Sequence, residues 1–385
     1  MGVVSALPPG RNSLNEFGFH LVKHLSENSD VSAVYVMADR TDAGPPPAMP
    51  KVVTEACWEF NSLGNLFSLA RKIRKHRPDG VLFNLQFATF GDKRLAGALG
   101  LCAPAVVRLL GVPSIVILHN LADNVDMQDA GFADSKMMAA IMRLAGRILT
   151  RVLLRADLVG LTIPRYVEYV RDRYGAENVF LAPHGAFENI DEPSFDIPEG
   201  PRRILAFGKW GTYKTVDVLI QAYQQLIERG YQNLELVIAG TDSPNSAGYL
   251  AGIADANREV PGLVFTGYVD EADVAPLFSS STVVAFPYTS TTGSSGVLHQ
   301  AGSYGRAVVL PRIGDFLEVI EEEGFCGEYF TPEDASSLAD SLATVLDDPA
   351  RCREIGEQNF AAAAGIPMSE VIDWYLIHLK ELVKA

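Results

Sequence analysis

The sequence predicts an α/β protein made of two doubly wound domains, each with a parallel sheet between layers of helices. Short apolar runs rich in β-branched residues alternate with helical stretches, which is typical of parallel strands joined by crossover helices. The alternation stops at 187–203, where Pro and acidic residues cluster, and then begins again. The chain of 385 residues also exceeds the size at which one core usually keeps growing.

The apolar runs fall into two groups, one for each predicted sheet. The first group lies at 3–7, 31–37, 80–85, 114–119, 157–163 and 178–183. The second lies at 203–208, 234–240, 263–267, 282–287 and 307–311, with helices such as 215–229 and 333–347 between the runs. We therefore predict domains at 1–190 and 203–364. Ligands of such folds bind at the carboxyl ends of the strands, here facing a cleft between the domains.

The composition favours chemistry on small molecules. With 32 basic and 47 acidic residues the net charge is −15, which argues against nucleic acid as a partner. No apolar run approaches the roughly 18 to 20 residues that a membrane span needs. The chain begins on an apolar run without a leader of signal length, so we expect a cytoplasmic protein. The cysteines are far apart and form no CxxC pair, which fits unpaired thiols: Cys57, Cys102, Cys326 and Cys352.

A first candidate anion site follows the first predicted strand, in "PPGRNSLNEF" at 8–17. Gly10 gives a turn, and Ser13 with Glu16 three residues later has the spacing of a capping box, which marks a helix start. The free amides of such a helix start attract anions. Helix capping without any ligand is the other interpretation of this segment.

A second candidate lies in "FGKWGTYKT" at 207–215, after the first strand of the second domain. Lys209 and Lys214 bring two ammonium groups to a loop that faces the cleft, where they can neutralise a departing diphosphate. No Asp-x-Asp pair that could hold Mg²⁺ lies near a strand end, so we expect no metal. The alternative is that both lysines are solvated surface charges.

A third candidate lies in "TTGSSGVLHQA" at 291–301, at the head of a predicted helix. We predict that Gly293, Ser294, Ser295 and Gly296 form its first turn, where glycines let a phosphate approach the free N–H groups. Gln300 lies one to two turns further, where it can bond sugar hydroxyls. A Ser-rich helix cap without a ligand is the alternative.

These motifs resemble a known family when they are taken in order. "FGKWGTYKTVDVLIQAY", "LVIAG", "VFTGYV", "FPY" and "SGVLHQAGSYGRAVV" follow one another with the spacing of retaining glycosyltransferases of family 4. The resemblance implies the GT-B fold, with two facing Rossmann-like domains. It also implies that 1–190 lies on the acceptor side, that 203–364 binds a nucleotide sugar, and that a terminal helix at 367–385 returns to the first domain.

The resemblance also implies roles for individual residues. Gly208, Lys209 and Lys214 match the motif whose lysines contact the donor diphosphate, and nucleotide-base contacts are implied near Gly267, Tyr268 and Val269. His119 ends the run "SIVILH" and resembles a histidine that lies beside the donor sugar and can stabilise charge at the anomeric centre. The other interpretation of His119 is a strand-end residue that bonds the backbone.

One departure from the family pattern concerns the donor sugar. The family carries two Glu residues eight positions apart, and the matching positions here are Thr292 and Gln300. Gln300 can still bond ribose hydroxyls, whereas Thr292 replaces the carboxylate that lies beside the sugar in the family. Two further histidines match no catalytic role: His184 follows Pro183 in a tight turn, and His299 is expected to pack inside its helix.

The function that the resemblance implies is transfer of a sugar from a UDP- or GDP-sugar to an acceptor hydroxyl with retention of configuration. It would proceed without a metal and serve glycan or glycoconjugate biosynthesis. Two alternatives stay open at this point. A nucleotide-sugar epimerase shares the fold but needs acid and base groups at the sugar, and a binding protein without catalysis would fit the change at Thr292.

Arginines recur every fourth residue in "KMMAAIMRLAGRILTRVLLRADL", which predicts one basic stripe on an amphipathic helix. The stripe consists of Arg143, Arg147, Arg151 and Arg155. Contact with anionic lipid at the inner face of a membrane is one interpretation. The other is the solvated face of a crossover helix, which the acidic net charge favours.

Overall fold

A computed structural model describes residues 1–10, 12, 14–121, 136–187, 191–243, 246–290 and 295–384, with the backbone alone at 136–142 and Asp315. The first half contains β1 (Gly2–Val4), α1 (Asn15–Glu27), β2 (Val34–Asp39), β3 (Val52–Trp58), α2 (Asn65–His76), β4 (Val81–Leu85), α3 (Arg94–Leu101), α4 (Ala103–Leu109), β5 (Ser114–Leu118), α5 (Lys136–Leu153), β6 (Leu158–Leu161), α6 (Pro164–Tyr174) and β7 (Val179–Leu181).

The second half contains β8 (Arg202–Trp210), α7 (Asp217–Glu228), β9 (Leu234–Asp242), α8 (Tyr249–Ala256), β10 (Leu263–Gly267), α9 (Glu271–Ser279), β11 (Val283–Ala285), α10 (Gly296–Ser303), β12 (Ala307–Pro311), α11 (Gly314–Glu322), β13 (Glu328–Phe330), α12 (Ala335–Asp347), α13 (Pro349–Ala364) and α14 (Met368–Lys384).

The described strands form two parallel sheets, which confirms the predicted fold class. The first sheet has the order β3-β2-β1-β4-β5-β6-β7, and the second has the order β10-β9-β8-β11-β12-β13. The strand order reverses between β1 and β4 and again between β8 and β11. At such a switch point the neighbouring crossovers leave toward opposite faces, so a crevice opens beyond the carboxyl ends of the strands. The predicted anion sites follow β1, β8 and β11, which are three of these four strands.

Every apolar run that the sequence predicts as a strand overlaps a strand of the structure, but two strands, β3 and β13, were not predicted. β3 is an edge strand with exposed positions and a mid-strand Glu55, so its sequence lacks the continuous apolar run of a buried parallel strand. β13 has only the residues "EYF". Both lie at a sheet edge, where one side of the strand needs no partner and the demand for apolar residues is lower.

Three clusters of buried side chains form the core. The second sheet has one cluster, which includes Trp210 and Tyr223. The first sheet has one cluster on each face, with Phe83 in one and Leu21 in the other. The last cluster also contains Tyr375 from α14, so the final helix fills a face of the first sheet although it follows the second domain in the chain.

The described residues include no helix that is both long enough and apolar enough to cross a lipid bilayer.

Candidate active site

The loop after β1 is built differently from the predicted capping box. Helix α1 begins at Asn15, and its N-cap is Leu14 in the left-handed conformation with φ of 64°, without a side-chain cap. Glu16 is therefore the second helical residue and not the partner of an N-cap hydroxyl, which corrects the prediction. Ser13 lies outside the described residues. Burial raises the pKa of Glu16, and Lys209 of the second domain opposes that shift.

Gly10 lies in a turn that a buried carboxylate holds. Its N–H donates to the carbonyl of Leu7 at 3.0 Å, and a Cβ at this position would lie 2.8 Å from that carbonyl oxygen. Asp39, at the end of β2, accepts hydrogen bonds from the backbone N–H of Leu7 at 3.2 Å and from Asn12 Nδ2 at 2.5 Å. Asn15 Nδ2 donates to the carbonyl of Gly10 at 2.7 Å. The turn is thus fixed by Asn15 of α1 and by Asp39 of the neighbouring strand β2.

Lys209 is a strand residue and not a loop residue, because β8 continues to Trp210. This corrects the predicted placement but keeps the lysine at the carboxyl end of the strand. Burial lowers the pKa of the half-buried Lys209, the carboxylate of Glu16 opposes that shift, and Lys214 adds to it. The charge of Glu16 on α1 of the first domain thus acts on a lysine of the second domain.

Lys214 closes the turn that follows β8. The N–H of Gly211 donates to the Lys214 carbonyl at 2.9 Å, and Lys214 forms an isolated antiparallel bridge with Tyr288. Its Nζ lies 4.4 Å from the ring centre of Tyr288 and 5.8 Å from that of Tyr213, within the range of cation–π attraction. Burial alone would lower the pKa of Lys214, but the two tyrosines outweigh it and raise the pKa. The site therefore holds this ammonium in its charged form.

Gly208 and Gly240 let β8 and β9 approach closely beside these lysines. The two glycines are paired in the parallel register, and Gly240 has φ of +113°. A Cβ on Gly240 would lie 1.9 Å from the carbonyl oxygen of Gly208, so no other residue fits. A Cβ on Gly208 would lie 4.0 Å from Lys214 Nζ, so glycine keeps the space beside the ammonium open. Gly240 was not among the predicted site residues.

Helix α10 begins at Gly296, with Ser295 as its N-cap. Of the predicted first turn, Gly296 is thus the first helical residue and Ser295 precedes it, while Gly293 and Ser294, like Thr292, lie outside the described residues. The Ser295 hydroxyl is buried and makes no cap bond, and within the described ranges it has no hydrogen-bond partner. A Cβ on Gly296 would lie 3.0 Å from His184 Cε1, so the helix start packs directly on that ring. Gln300 is half-buried, on the second turn of the helix.

Gly267, Tyr268 and Val269 form the end of β10 and the segment that leads to α9. Gly267 has φ of 69°, and Tyr268 is 43% exposed, so its ring is accessible to a ligand. Just beyond this segment, the Glu271 carboxylate lies 3.6 Å from His20 Nε2 on α1. The hydrogen bond to His20 lowers the pKa of Glu271. The predicted base-binding segment therefore lies beside a second contact between the domains.

His119 follows β5 at the carboxyl end of the first sheet. Its Nε2 lies 2.8 Å from Asn84 Oδ1, and its ring meets the edge of Phe17 with 4.5 Å between centroids. Burial among these groups lowers the pKa of His119 to about 3, so the imidazole is neutral at physiological pH. The predicted catalytic histidine thus lies in the crevice at the β1/β4 switch point, near the start of α1.

Two other histidines join the domains behind this crevice. His184, in the turn before the linker, is buried and stacks on His299 of α10 with 5.2 Å between centroids and 19° between ring planes. Burial lowers the pKa of His184 well below its usual value, and the neighbouring histidines add to the effect. His299 Nε2 lies 3.1 Å from a carboxylate oxygen of Glu323. Both residues hold the linker against the second domain.

Three arginines of the predicted stripe lie on α5 at four-residue spacing: Arg143, Arg147 and Arg151. Arg155 does not, which corrects the prediction for that residue. α5 ends at Leu153, so Arg155 lies in the turn beyond it. Arg147 is half-buried, whereas Arg143 and Arg151 are exposed. Arg151 lies 5.2 Å from the ring centre of Tyr174. Arg151 and Arg155 line an open cavity of about 530 Å³ at the amino end of the first sheet, on the edge opposite the cleft.

The described residues contain no group of three or more His, Cys, Asp or Glu side chains that could hold a metal ion.

Two Rossmann-like domains, with lysines and glycine turns at the carboxyl ends of their strands, define the GT-B fold. Residues 201–348 match the family model described as glycosyl transferases group 1. Over 205 residues the chain is 27% identical to the MMP α-(1→4)-mannosyltransferase of Mycolicibacterium hassiacum, in an alignment that covers 51% of this chain and 46% of that protein. The chain spans about half the length of the curated relatives that it matches.

Solved structures resemble the chain over nearly its whole length. Anabaena HepE in complex with UDP and glucose has a TM-score of 0.71 at 17% identity, covering 99% of this chain and 100% of that one. Sucrose-phosphate synthase from Thermosynechococcus elongatus has a TM-score of 0.73 at 16% identity, covering 99% and 98%. At these identities the similarity establishes the fold.

Several residues of the site were missed by sequence reasoning, although each had a signal. Asn84 interrupts the apolar run "GVLFNL", and a polar side chain in a fully buried strand needs a specific partner. Asp39 ends β2, and Gly240 lies within β9 at the end of the apolar run "LVIAG", where a glycine in a strand suggests close approach of another backbone. Glu16 was assigned to a helix cap, which hid its position opposite Lys209.

The Gly208–Gly240 contact gives a stability prediction. Gly240→Ala should lower the free energy of unfolding by about 2 kcal/mol or more, because the new Cβ meets a backbone oxygen at a left-handed position. Gly252→Ala is the matched control, since a Cβ there meets nothing within 4 Å and alanine favours helix α8 by up to about 1 kcal/mol. Urea unfolding measures both variants. Equal stability of the two would contradict the contact.

Proposed function

We propose that this protein is a glycosyltransferase that moves a hexosyl group from a nucleoside diphosphate donor to an acceptor hydroxyl. The observation that carries the proposal is the pair Lys209 and Lys214 at the carboxyl end of β8, beside the open backbone of Gly208. The match of 201–348 to the group 1 glycosyl transferases supports it, because that range contains both lysines. The related mannosyltransferase supports a hexose as the transferred sugar.

The two lysines suit different parts of a departing diphosphate. Lys214 is held charged over Tyr288 and supplies a fixed positive charge. Burial lowers the pKa of Lys209, and a dianionic ligand would oppose that shift. Fixed cations at the place where negative charge develops lower the barrier without solvent reorganisation. We propose that this pair takes the place of a metal ion, so that transfer proceeds without one.

The donor would lie mainly on the second domain. Tyr268 is exposed beside the β10 terminus and fits contact with the nucleotide base. Gln300 is half-buried on α10 and fits a ribose hydroxyl. UDP and GDP are both candidates, and the complex of HepE with UDP and glucose favours UDP. We propose retention of configuration, with attack of the acceptor on the face that the diphosphate leaves, and a role in glycan or glycoconjugate synthesis.

Lys214→Ala should reduce transfer at least about 100-fold, because it removes the fixed charge that faces the leaving group. Turnover with the preferred nucleotide sugar and an acceptor measures the effect. Lys72→Ala is the control, since Lys72 pairs with Glu55 on the first domain, away from the cleft. A Lys214→Ala protein that folds and turns over like the control would contradict the assignment.

Binding of nucleoside diphosphates tests the donor class before any acceptor is known. UDP or GDP at 100 times its Kd should stabilise the protein by about 2.7 kcal/mol and raise its melting temperature, also in the presence of EDTA. Lys209→Ala should weaken this shift, whereas Lys72→Ala should not. A shift that needs added magnesium would contradict the metal-free proposal, and no shift with either nucleotide would contradict the donor class.

Incubation with several nucleotide sugars separates the rival functions. Slow release of the diphosphate without acceptor supports transfer. An isomerised sugar would show an epimerase, and saturable binding without either product would show a binding protein. The change of a family Glu to Thr292 makes this comparison necessary, because the missing carboxylate would lie beside the sugar.

Contact with a membrane surface is a separate proposal that rests on the exposed Arg143, Arg151 and Arg155. Each arginine near an anionic bilayer contributes about 1 kcal/mol of attraction. Replacement of all three by Gln should therefore abolish co-sedimentation with vesicles rich in phosphatidylserine. Replacement of Arg71, Arg74 and Arg77, which are exposed on and just after α2, is the charge-matched control. Equal binding by both triple variants would remove the proposal.

A further inference from the structure

Asn84 is a buried amide in the middle of the first sheet, and its orientation is fixed by its partners. Its Nδ2 lies 2.9 Å from Ser5 Oγ and 3.4 Å from the carbonyl oxygen of Leu14. Because a carbonyl can only accept, the NH₂ end of the amide must face this side. The Ser5 hydroxyl donates its own hydrogen to the carbonyl of Ala6 at 2.8 Å, so it also accepts from Asn84.

This orientation decides which nitrogen of His119 carries the hydrogen. With the amide nitrogen turned to Ser5 and Leu14, Oδ1 of Asn84 faces His119 Nε2 at 2.8 Å. An amide oxygen can only accept, so Nε2 must donate. A neutral imidazole has one hydrogen, and Nδ1 is then left with a lone pair.

The imidazole has little freedom to change this arrangement. The backbone N–H of His119 donates to the carbonyl of Leu85 at 2.9 Å, which continues the pairing of β4 with β5. Phe17 closes one side of the ring at 4.5 Å, and His184 faces it at 6.2 Å between centroids. His184 is itself neutral because burial lowers its pKa, so it places no charge against His119 at physiological pH.

We propose that Asn84 is a positioning residue that holds His119 as the neutral Nε2–H tautomer, so that Nδ1 accepts a hydrogen bond from a hydroxyl of the donor sugar. The last step rests on the proposed transferase function, whereas the tautomer does not. In this form His119 cannot protonate the departing diphosphate, whose charge is left to the lysines of the second domain and the other groups of the proposed donor site. Its lone pair also faces the sugar as positive charge develops at the anomeric carbon.

The tautomer can be measured in the unmodified protein. ¹⁵N-histidine labelling with long-range proton–nitrogen spectra distinguishes Nε2–H from Nδ1–H, and the spectrum of His119→Gln identifies the signals of His119. We expect the Nε2–H form with no protonation between pH 8 and pH 5. An Nδ1–H form, or protonation near pH 6.5, would overturn the proposal. This measurement needs no substrate, so it stands even if no transferase activity is found.

Variants of Asn84 test its effect on turnover. Asn84→Leu should allow both tautomers and lower kcat about 10-fold, as expected for loss of one directing hydrogen bond, with little change in nucleotide binding. Asn84→Asp should raise the pKa of His119 because a carboxylate stabilises the imidazolium. Its kcat should therefore be low at neutral pH and recover as the pH rises and Nδ1 loses its proton.

Asn178→Ala is the matched control, because Asn178 Nδ2, like that of Asn84, donates two hydrogen bonds, here to the carbonyls of Leu154 and Ala156 at the opposite edge of the same sheet. It should lose stability without any change in the His119 tautomer or in the pH profile. A pH profile of Asn84→Asp that is parallel to that of the wild type would overturn the positioning role. An unchanged tautomer in Asn84→Leu would do the same.

Discussion

Parallel strand pairing is the constraint on which the rest of this structure depends. In a parallel sheet all strands end at one edge, and the reversals of strand order at β1/β4 and β8/β11 open that edge to a ligand. Residues that are more than 100 positions apart in the chain therefore meet. The turn at Gly10, His119 and the two lysines all follow or end strands beside these reversals. No local property of those segments brings them together.

Burial acts on the two sides of the cleft in opposite ways. On the first domain it removes charge: burial lowers the pKa values of His119 and His184, so both imidazoles are neutral at physiological pH. On the second domain, Tyr288 and Tyr213 keep the ammonium of Lys214 charged. The first domain thus presents a neutral imidazole to the cleft, whereas the second domain presents a charged ammonium group. This division suits a sugar diphosphate, whose sugar offers hydroxyl donors and whose phosphates carry the negative charge.

The two sheets could be predicted from the sequence, because buried parallel strands leave a continuous apolar signature. The roles of the glycines and lysines near the strand ends stay predictions, because lysine is also a common surface residue. Strands β3 and β13 were not predicted, because an edge strand does not need a continuous apolar run. The helix starts were predicted less well. Leu14 caps α1 in a left-handed conformation, which a leucine side chain does not indicate in the sequence. Helix α10 begins at Gly296. The partners of Asn84 could not be predicted at all, because Ser5 and Leu14 reach it only through the pairing of β1 with β4.

The final helix has a consequence for biosynthesis. Ile372, Tyr375 and Leu376 of α14 are buried against the face of the first sheet that α1 also covers. The ribosome synthesises these α14 residues only after the whole second domain. Until then, one apolar face of the first sheet is not fully covered. The first domain therefore completes its core only after the second domain has been synthesised.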